Sequence, residues 1–258
     1  MRVSAALVIG LLAMTAACGH PSAPEPHASS ETAAATKMTA APVPPHPKVG
    51  AVFLGGGDLH TCTAAVLDSP GGDLILTAAH CVAEGIDTTF VAGFKDAADP
   101  ADVWKVDAIY LDPRWMKNQD PLADFAILRV VRDGGGSVEA EAGGGLALGT
   151  APRPGTVVTV TGYGLGVGGG PIGCQAATEL APGGFPSLPC AGLIDGTSGA
   201  PWTTGSTIAG LVGGLDGGGC DENVSYSPPF DDGVVQLLTR AQAGGPADPA
   251  PTVFDDDC

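Results

Sequence analysis

The chain is poor in positive charge: across 258 residues, 11 Lys and Arg stand against 28 Asp and Glu, a net charge of −17. A chain this acidic has no electrostatic footprint for phosphate backbones or anionic lipid heads, which excludes nucleic-acid binding. Aromatic residues make up only 5%, and no internal repeat is evident, which leaves no case for a repeat array. The apolar run Val3–Met14 is too short to span a bilayer, which takes about 20 residues. No two cysteines have the C-x-x-C spacing of a zinc site, and nothing in the sequence demands a metal or another cofactor.

What is present divides the chain. Arg2, the apolar run and the small residues Ala16 and Ala17 before Cys18 read as an export signal over residues 1–18. Thr15-Ala-Ala-Cys18 resembles a lipobox, which implies lipid attachment at Cys18 and membrane contact through that anchor alone; the other reading is a soluble secreted protein with Cys18 as a spare thiol. Residues 19–48 carry Pro at 21, 24, 26, 42, 44, 45 and 47 with no hydrophobic periodicity, the pattern of a semi-extended tether. The three His in it, His20, His27 and His46, are too scattered to indicate a metal site. Three cations and two anions lie in residues 1–48, so the acidity belongs to residues 49–258. With Cys18 set aside, six cysteines remain, an even number that suits an exported, disulfide-bonded domain, and the sequence alone does not choose among their pairings.

With 40 Gly and 23 Pro, about a quarter of the chain resists regular helix, while 44% hydrophobic residues and a mean hydropathy of +0.23 argue against disorder. Short Val/Ile/Leu/Ala runs at 49–54, 63–67, 73–78, 88–93, 104–111, 124–131, 156–162, 207–215 and 222–227 alternate with Gly, Pro and Asp turn signals, which is strand chemistry. Only 234–242 has apolar residues at helical spacing. Many strands and one late helix predict an all-β barrel or sandwich over 49–243, with an acidic tail at 244–258.

Three short segments carry chemistry. Leu76-Thr-Ala-Ala-His-Cys81 ends a strand with a His, Asp124-Phe-Ala-Ile-Leu128 opens one with an acid, and Gly196-Thr-Ser-Gly-Ala-Pro201 puts a Ser in a turn of small residues. Each alone has an ordinary structural explanation. Together they stand in the order His80, Asp124, Ser198, the order in which β-barrel hydrolases of the chymotrypsin type carry a nucleophilic triad.

On these motifs the chain resembles trypsin-like, chymotrypsin-fold serine endopeptidases over about 49–242. The block Tyr110-Leu-Asp-Pro-Arg-Trp115, with GTSG for the usual GDSG, looks like the exported actinobacterial branch. The resemblance implies two packed antiparallel six-stranded β-barrels with a C-terminal helix. It implies Ser198 as nucleophile, His80 as general base and Asp124 as its orienting partner, with the Gly196 and Ser198 N–H groups as oxyanion hole. Cys62 and Cys81 match a family disulfide; by similarity Cys174 pairs with Cys190, which leaves Cys220 for Cys258. The expected partner is a polypeptide substrate, and the protein is expected to be a monomer outside the cell, secreted or lipid-anchored.

The departures are informative. Thr197 stands where many relatives carry the Asp that receives a newly freed N-terminal amine, so activity should not require a free α-amino group at Val49, although Lys48-Val49-Gly50 looks like a processing point or the end of a linker. The primary pocket would be formed by Gly192, Gly213, Gly214 and Leu215; without an acid at 192, a small or medium apolar side chain before the cut bond is expected, while Asp195, Asp216 and Asp221 disfavour acidic substrates and any one of them, entering the pocket, would restore a basic preference. A glutamyl endopeptidase is disfavoured because no His follows His80. A catalytically inactive homologue acting as a cell-surface binding module is the alternative from another class; Ala200 in place of a family Gly favours it and the presence of all three triad residues opposes it. His60 is expected to be a hydrogen-bonding residue near the site, and Trp104, Trp115 and Trp202 to be packing residues.

Overall fold

A computed structural model describes residues 38–219 and 223–252, which lie in the compact unit Thr36–Cys258. Six strands form the first half: β1 (Val49–Leu54), β2 (Leu59–Val66), β3 (Leu74–Thr77), β4 (Thr88–Ala92), β5 (Trp104–Leu111) and β6 (Ala126–Val131). They pair antiparallel in the order β2-β1-β4-β5-β6-β3, and β3 pairs back to β2, so the barrel closes and leaves no edge among the six. Period-two alternation divides β1 between two cores. Val52 faces the barrel interior with Leu76, Phe90 and Ile127, while Val49, Ala51 and Phe53 pack outward against Val91, Phe94 and Tyr163.

The second half is built on β7 (Val157–Gly162), β8 (Ile172–Ala177), β9 (Pro201–Thr204) and β10 (Thr207–Leu211). Ala41–Pro42 pairs with β8 and Ala147–Leu148 runs parallel to β10, giving a six-stranded sheet that does not close by hydrogen bonds. Beside it lies a three-stranded antiparallel sheet of Glu179–Leu180, Pro186–Leu188 and Ser225–Tyr226. The closed six-stranded barrel, the second six-stranded sheet and the C-terminal helix are the chymotrypsin-like architecture expected from the sequence, with the hydrogen-bonded closure complete in the first barrel.

Among the described residues, three short α-helices complete the unit. In α1 (Pro113–Asn118) Asp112 caps Arg114 N–H, and in α2 (Val138–Glu141) Ser137 caps Ala140 N–H. The expected C-terminal helix is α3 (Asp232–Gln242), which buries Val234, Leu237 and Ala241 on one face. Arg129 ties its end to the barrel by donating to Ala241 O at 2.7 Å, Tyr110 Oη at 2.7 Å and Asp73 Oδ2 at 3.0 Å. Trp104, Trp115 and Trp202 are all buried, as packing residues should be. Among the described residues no helix is long and apolar enough to cross a membrane.

Both expected domain boundaries move outward. The segment read as tether is folded from Met38: Met38–Thr39 pairs with Cys190–Ala191, and Lys48 Nζ donates to Gly145 O at 3.0 Å. Lys48 O accepts from Val66 N–H and Val49 N–H donates to His46 O, so the backbone on both sides of the Lys48–Val49 bond is held by the fold. Among the described residues, Pro42 lies at a strand edge and Pro44, Pro45 and Pro47 in the loop and turn that follow, positions that need few N–H donors. Downstream, Asp248 accepts from Leu111 N–H at 2.8 Å and pairs with Arg240, and Glu84 N–H donates to Pro251 O, so residues 244–252 pack on the first barrel instead of trailing as an acidic tail. The export signal, Cys18, Asp221 and the Cys220–Cys258 pairing lie outside the described residues.

Candidate active site

His80 occupies a single 3-10 turn, Ala79–Cys81, directly after β3. The Cys62–Cys81 disulfide fixes that turn to β2. Asp124 sits just before β6, wholly buried, at the end of the Pro121–Ala123 turn. The antiparallel β3–β6 pairing, with Thr77 opposite Ala126, brings the two segments together. His80 Nδ1–H donates to Asp124 Oδ2 at 2.8 Å, and the backbone N–H of His80 donates to Oδ1 at 3.0 Å. A third donor, Gly214 N–H, reaches Oδ2 at 2.7 Å. A carboxylate only accepts, so Nδ1 carries a proton whether the ring is charged or neutral, and in the neutral ring Nε2 is the nitrogen that can act as a base. Burial alone would push the Asp124 carboxyl up; the His80 charge and the hydrogen bonds from His80 and Gly214 outweigh it and hold it below the usual carboxylate range.

The turn bearing Ser198 is locked to the same place. Ser198 O accepts from Thr63 N–H at 2.8 Å. A Cβ at Gly199 would fall 2.2 Å from Thr63 O, 2.3 Å from Thr77 Oγ1 and 3.0 Å from Ala78 N, so only glycine lets the Ser turn approach the end of β3, two residues from His80. Thr63 is the hub: its hydroxyl donates to Gly196 O and accepts from Tyr163 N–H, and its carbonyl accepts from Thr77 Oγ1. Gly196 has φ +87°, and a Cβ there would fall 2.1 Å from Leu165 N. Asp195 O accepts from Leu165 N–H at 2.6 Å, so in the trans peptide the Gly196 N–H points the opposite way, away from Leu165. Among the described residues, no protein group accepts from Gly196 N–H or Ser198 N–H. Buried Thr197 turns its hydroxyl to Ile194 O at 2.8 Å, closing the loop locally without an ion pair.

Of the residues expected in the substrate pocket, Gly213 and Gly214 lie against Asp124, Gly192 faces Thr39 and Ala40, and Leu215 begins a 3-10 turn, Leu215–Gly218. Asp195 and Asp216 are exposed. His60 is not beside the triad: it is buried among Phe53, Phe94 and Tyr163, with Nε2 2.9 Å from Gly168 O. Cys62 and Cys81 approach His80 closely, but their sulfurs are bonded to each other and offer no thiolate to a metal. The second disulfide, Cys174–Cys190, joins β8 to the strand leading into the Ser turn. Thr63 and the Gly214 N–H are site residues that the sequence motifs do not mark.

Comparison with known proteins places this geometry. The trypsin family's sequence profile matches residues 37–179, more than half of the chain and including His80 and Asp124. No curated protein matches the chain by sequence. Among solved structures, the protease Anisep from Arthrobacter nicotinovorans superposes with a TM-score of 0.66 at 20% identity, covering 78% of this chain and 98% of its own. A Glu endopeptidase gives 0.63 at 14% identity, covering 81% and 98%. Human heparin binding protein gives 0.61 at 15% identity, covering 82% and 99%. At such identities the likeness establishes the fold, which these neighbours use for different ends. The profile match, the disulfides and the barrel together show that the chain belongs to the trypsin family of serine proteases.

Proposed function

We propose that the protein is an exported endopeptidase that hydrolyses peptide bonds through an acyl-enzyme on Ser198. The observation that carries this reading is the buried Asp124 carboxylate bonded to His80 Nδ1, beside a Ser turn that β2 and β3 lock in place. His80 Nε2 removes the Ser198 proton as Oγ attacks the scissile carbonyl, Asp124 stabilises the imidazolium, and the same proton passes to the leaving amine; water then repeats the sequence to release the acid. The Gly196 and Ser198 N–H groups receive the oxyanion, an interaction worth about 3–4 kcal/mol per donor in comparable enzymes. Gly192 and the segment from Gly213 to Leu215 bound the pocket for the residue before the cut, which takes a small or medium apolar side chain. Two disulfides suit an oxidising compartment outside the cytoplasm, and lipid at Cys18 would hold the enzyme at the outer face of the cell membrane.

The test is to incubate the protein with an unstructured polypeptide and identify the new termini by mass spectrometry. Internal cuts after small apolar residues, absent with Ser198→Ala, are expected. An intact polypeptide would contradict the activity, and cuts after Glu would contradict the pocket assignment.

A further inference from the structure

The segment leading away from the Ser turn ends in a second feature. Leu165 N–H is bonded to Asp195 O, and Gly166–Val167 then pairs antiparallel with Leu59–His60. Gly168 O accepts from His60, and Gly169 O accepts from Asp96 N–H. Val167 and Gly168 form one wall of a cavity of about 430 Å³ whose apolar interior is Phe53, Val91, Phe94 and Val103. From Leu165 to Gly168 the chain advances three residues, at most about 10 Å, with Gly166–Val167 extended between them.

The route between the two is unusually apolar for an exposed surface. Ile194, Leu165, Val167 and Leu59 are exposed at 43, 50, 72 and 44% and follow one another from the Ser turn to the cavity. At the cavity itself the charge has one sign. Asp58 and Asp96 line it, no Lys or Arg does, and neither Asp makes an ion pair among the described residues. Lys95 precedes Asp96 but does not line the cavity.

We propose that this cavity binds the leaving-group half of a polypeptide substrate, receiving an apolar side chain about three residues beyond the cut bond with a Lys or Arg beside it. The assignment rests on Ser198 being the nucleophile. In that reading the acyl half lies against Gly192 and Gly213–Leu215, so the leaving half crosses the opposite face of the Ser turn. That face adjoins β2, whose Cys62 is bonded to Cys81 next to His80, the group that protonates the leaving amine. The apolar interior accepts the side chain, and the two carboxylates attract the neighbouring cation.

The test measures binding directly, by fluorescence anisotropy on the full chain carrying Ser198→Ala. The probes are labelled hexapeptides with leucine third and lysine fourth, with glutamate in place of the lysine, and with glycine in place of the leucine. The leucine–lysine peptide should bind about tenfold tighter than the glutamate peptide, the scale of two surface ion pairs, and weaken as salt rises. Asp58→Asn combined with Asp96→Asn should abolish that preference, and Val167→Ser should weaken the leucine contribution. Equal binding of the three peptides, or a preference that survives the double substitution, overturns the proposal. Fluorophosphonate labelling of the wild-type chain reports separately on Ser198: labelling without peptide discrimination removes this site alone, and discrimination without labelling removes the protease reading while the cavity's ligand preference stands.

Discussion

Asp124 is fully enclosed yet ionised, because His80 Nδ1–H and two backbone N–H groups converge on its oxygens. Its pKa in the folded chain lies below the unfolded carboxyl value of about 3.9, so the ionised group contributes stability above that value. The contribution is lost as pH falls through the folded pKa. Urea unfolding at a series of pH values should therefore show the wild-type chain losing stability more steeply below about pH 4 than Asp124→Asn; parallel curves would contradict the assignment. The same substitution leaves the imidazole in the wrong tautomer and should lower turnover by about four orders of magnitude, measured on a peptide substrate with the circular dichroism spectrum unchanged. The segments bearing His80, Asp124 and Ser198 stand out in the sequence because each is a short motif of small or apolar residues whose order is itself informative, and the structure joins His80 to Asp124. Gly214 was not legible as a partner of Asp124, because it acts through a main-chain N–H that no side chain advertises. His60 was misplaced for the opposite reason: two residues from Cys62, it belongs to the outward-facing core of β1.

At the scale of elements, β2 carries the site, joining the His turn by a disulfide and the Ser turn through Thr63. Removing both Cys62 and Cys81 as alanines should cost about 3 kcal/mol in chemical denaturation, the value for a loop of this length. Thr63→Val removes the hydroxyl shared by Gly196 O and Tyr163 N–H and should cost about 1–2 kcal/mol of stability. It should also slow acylation more than it alters binding of a product peptide, with Thr63→Ser restoring both; an unchanged acylation rate would show that the Gly196 peptide is held without it. The strands β1 to β6 were readable as apolar runs between turn signals. β8 was not, because Ile-Gly-Cys-Gln-Ala-Ala has no β-branched run and becomes a strand through pairing with β7 and the Cys174 bridge. Two-residue pairings such as Gly166–Val167 with Leu59–His60 exist only because another strand is already present. The α1 helix had a signal in Asp112-Pro113, a cap followed by proline at the first position, but the helix itself is only six residues long.

For the whole molecule, the sequence located the folded part but drew its edges too narrowly, because proline-rich and acidic segments read as linkers until their pairing partners are known. A chain beginning at Val49 loses the Met38–Thr39 and Ala41–Pro42 pairings, so it should melt at a lower temperature than one beginning at Thr36 and should not be labelled faster by an acylating probe; a large gain in rate on trimming would contradict the role given to Thr197. A chain ending at Gly244 loses the Asp248 and Pro251 contacts and should also melt lower by differential scanning calorimetry. The proposed activity stands or falls on Ser198 being a nucleophile activated by His80 and Asp124. Reaction of the purified protein with a fluorophosphonate probe beside Ser198→Ala, followed by peptide mass mapping, tests this at the residue itself. A single adduct on Ser198, absent from the variant, is expected; a folded, disulfide-bonded protein that takes up no probe, or takes it up equally without Ser198, would contradict the assignment.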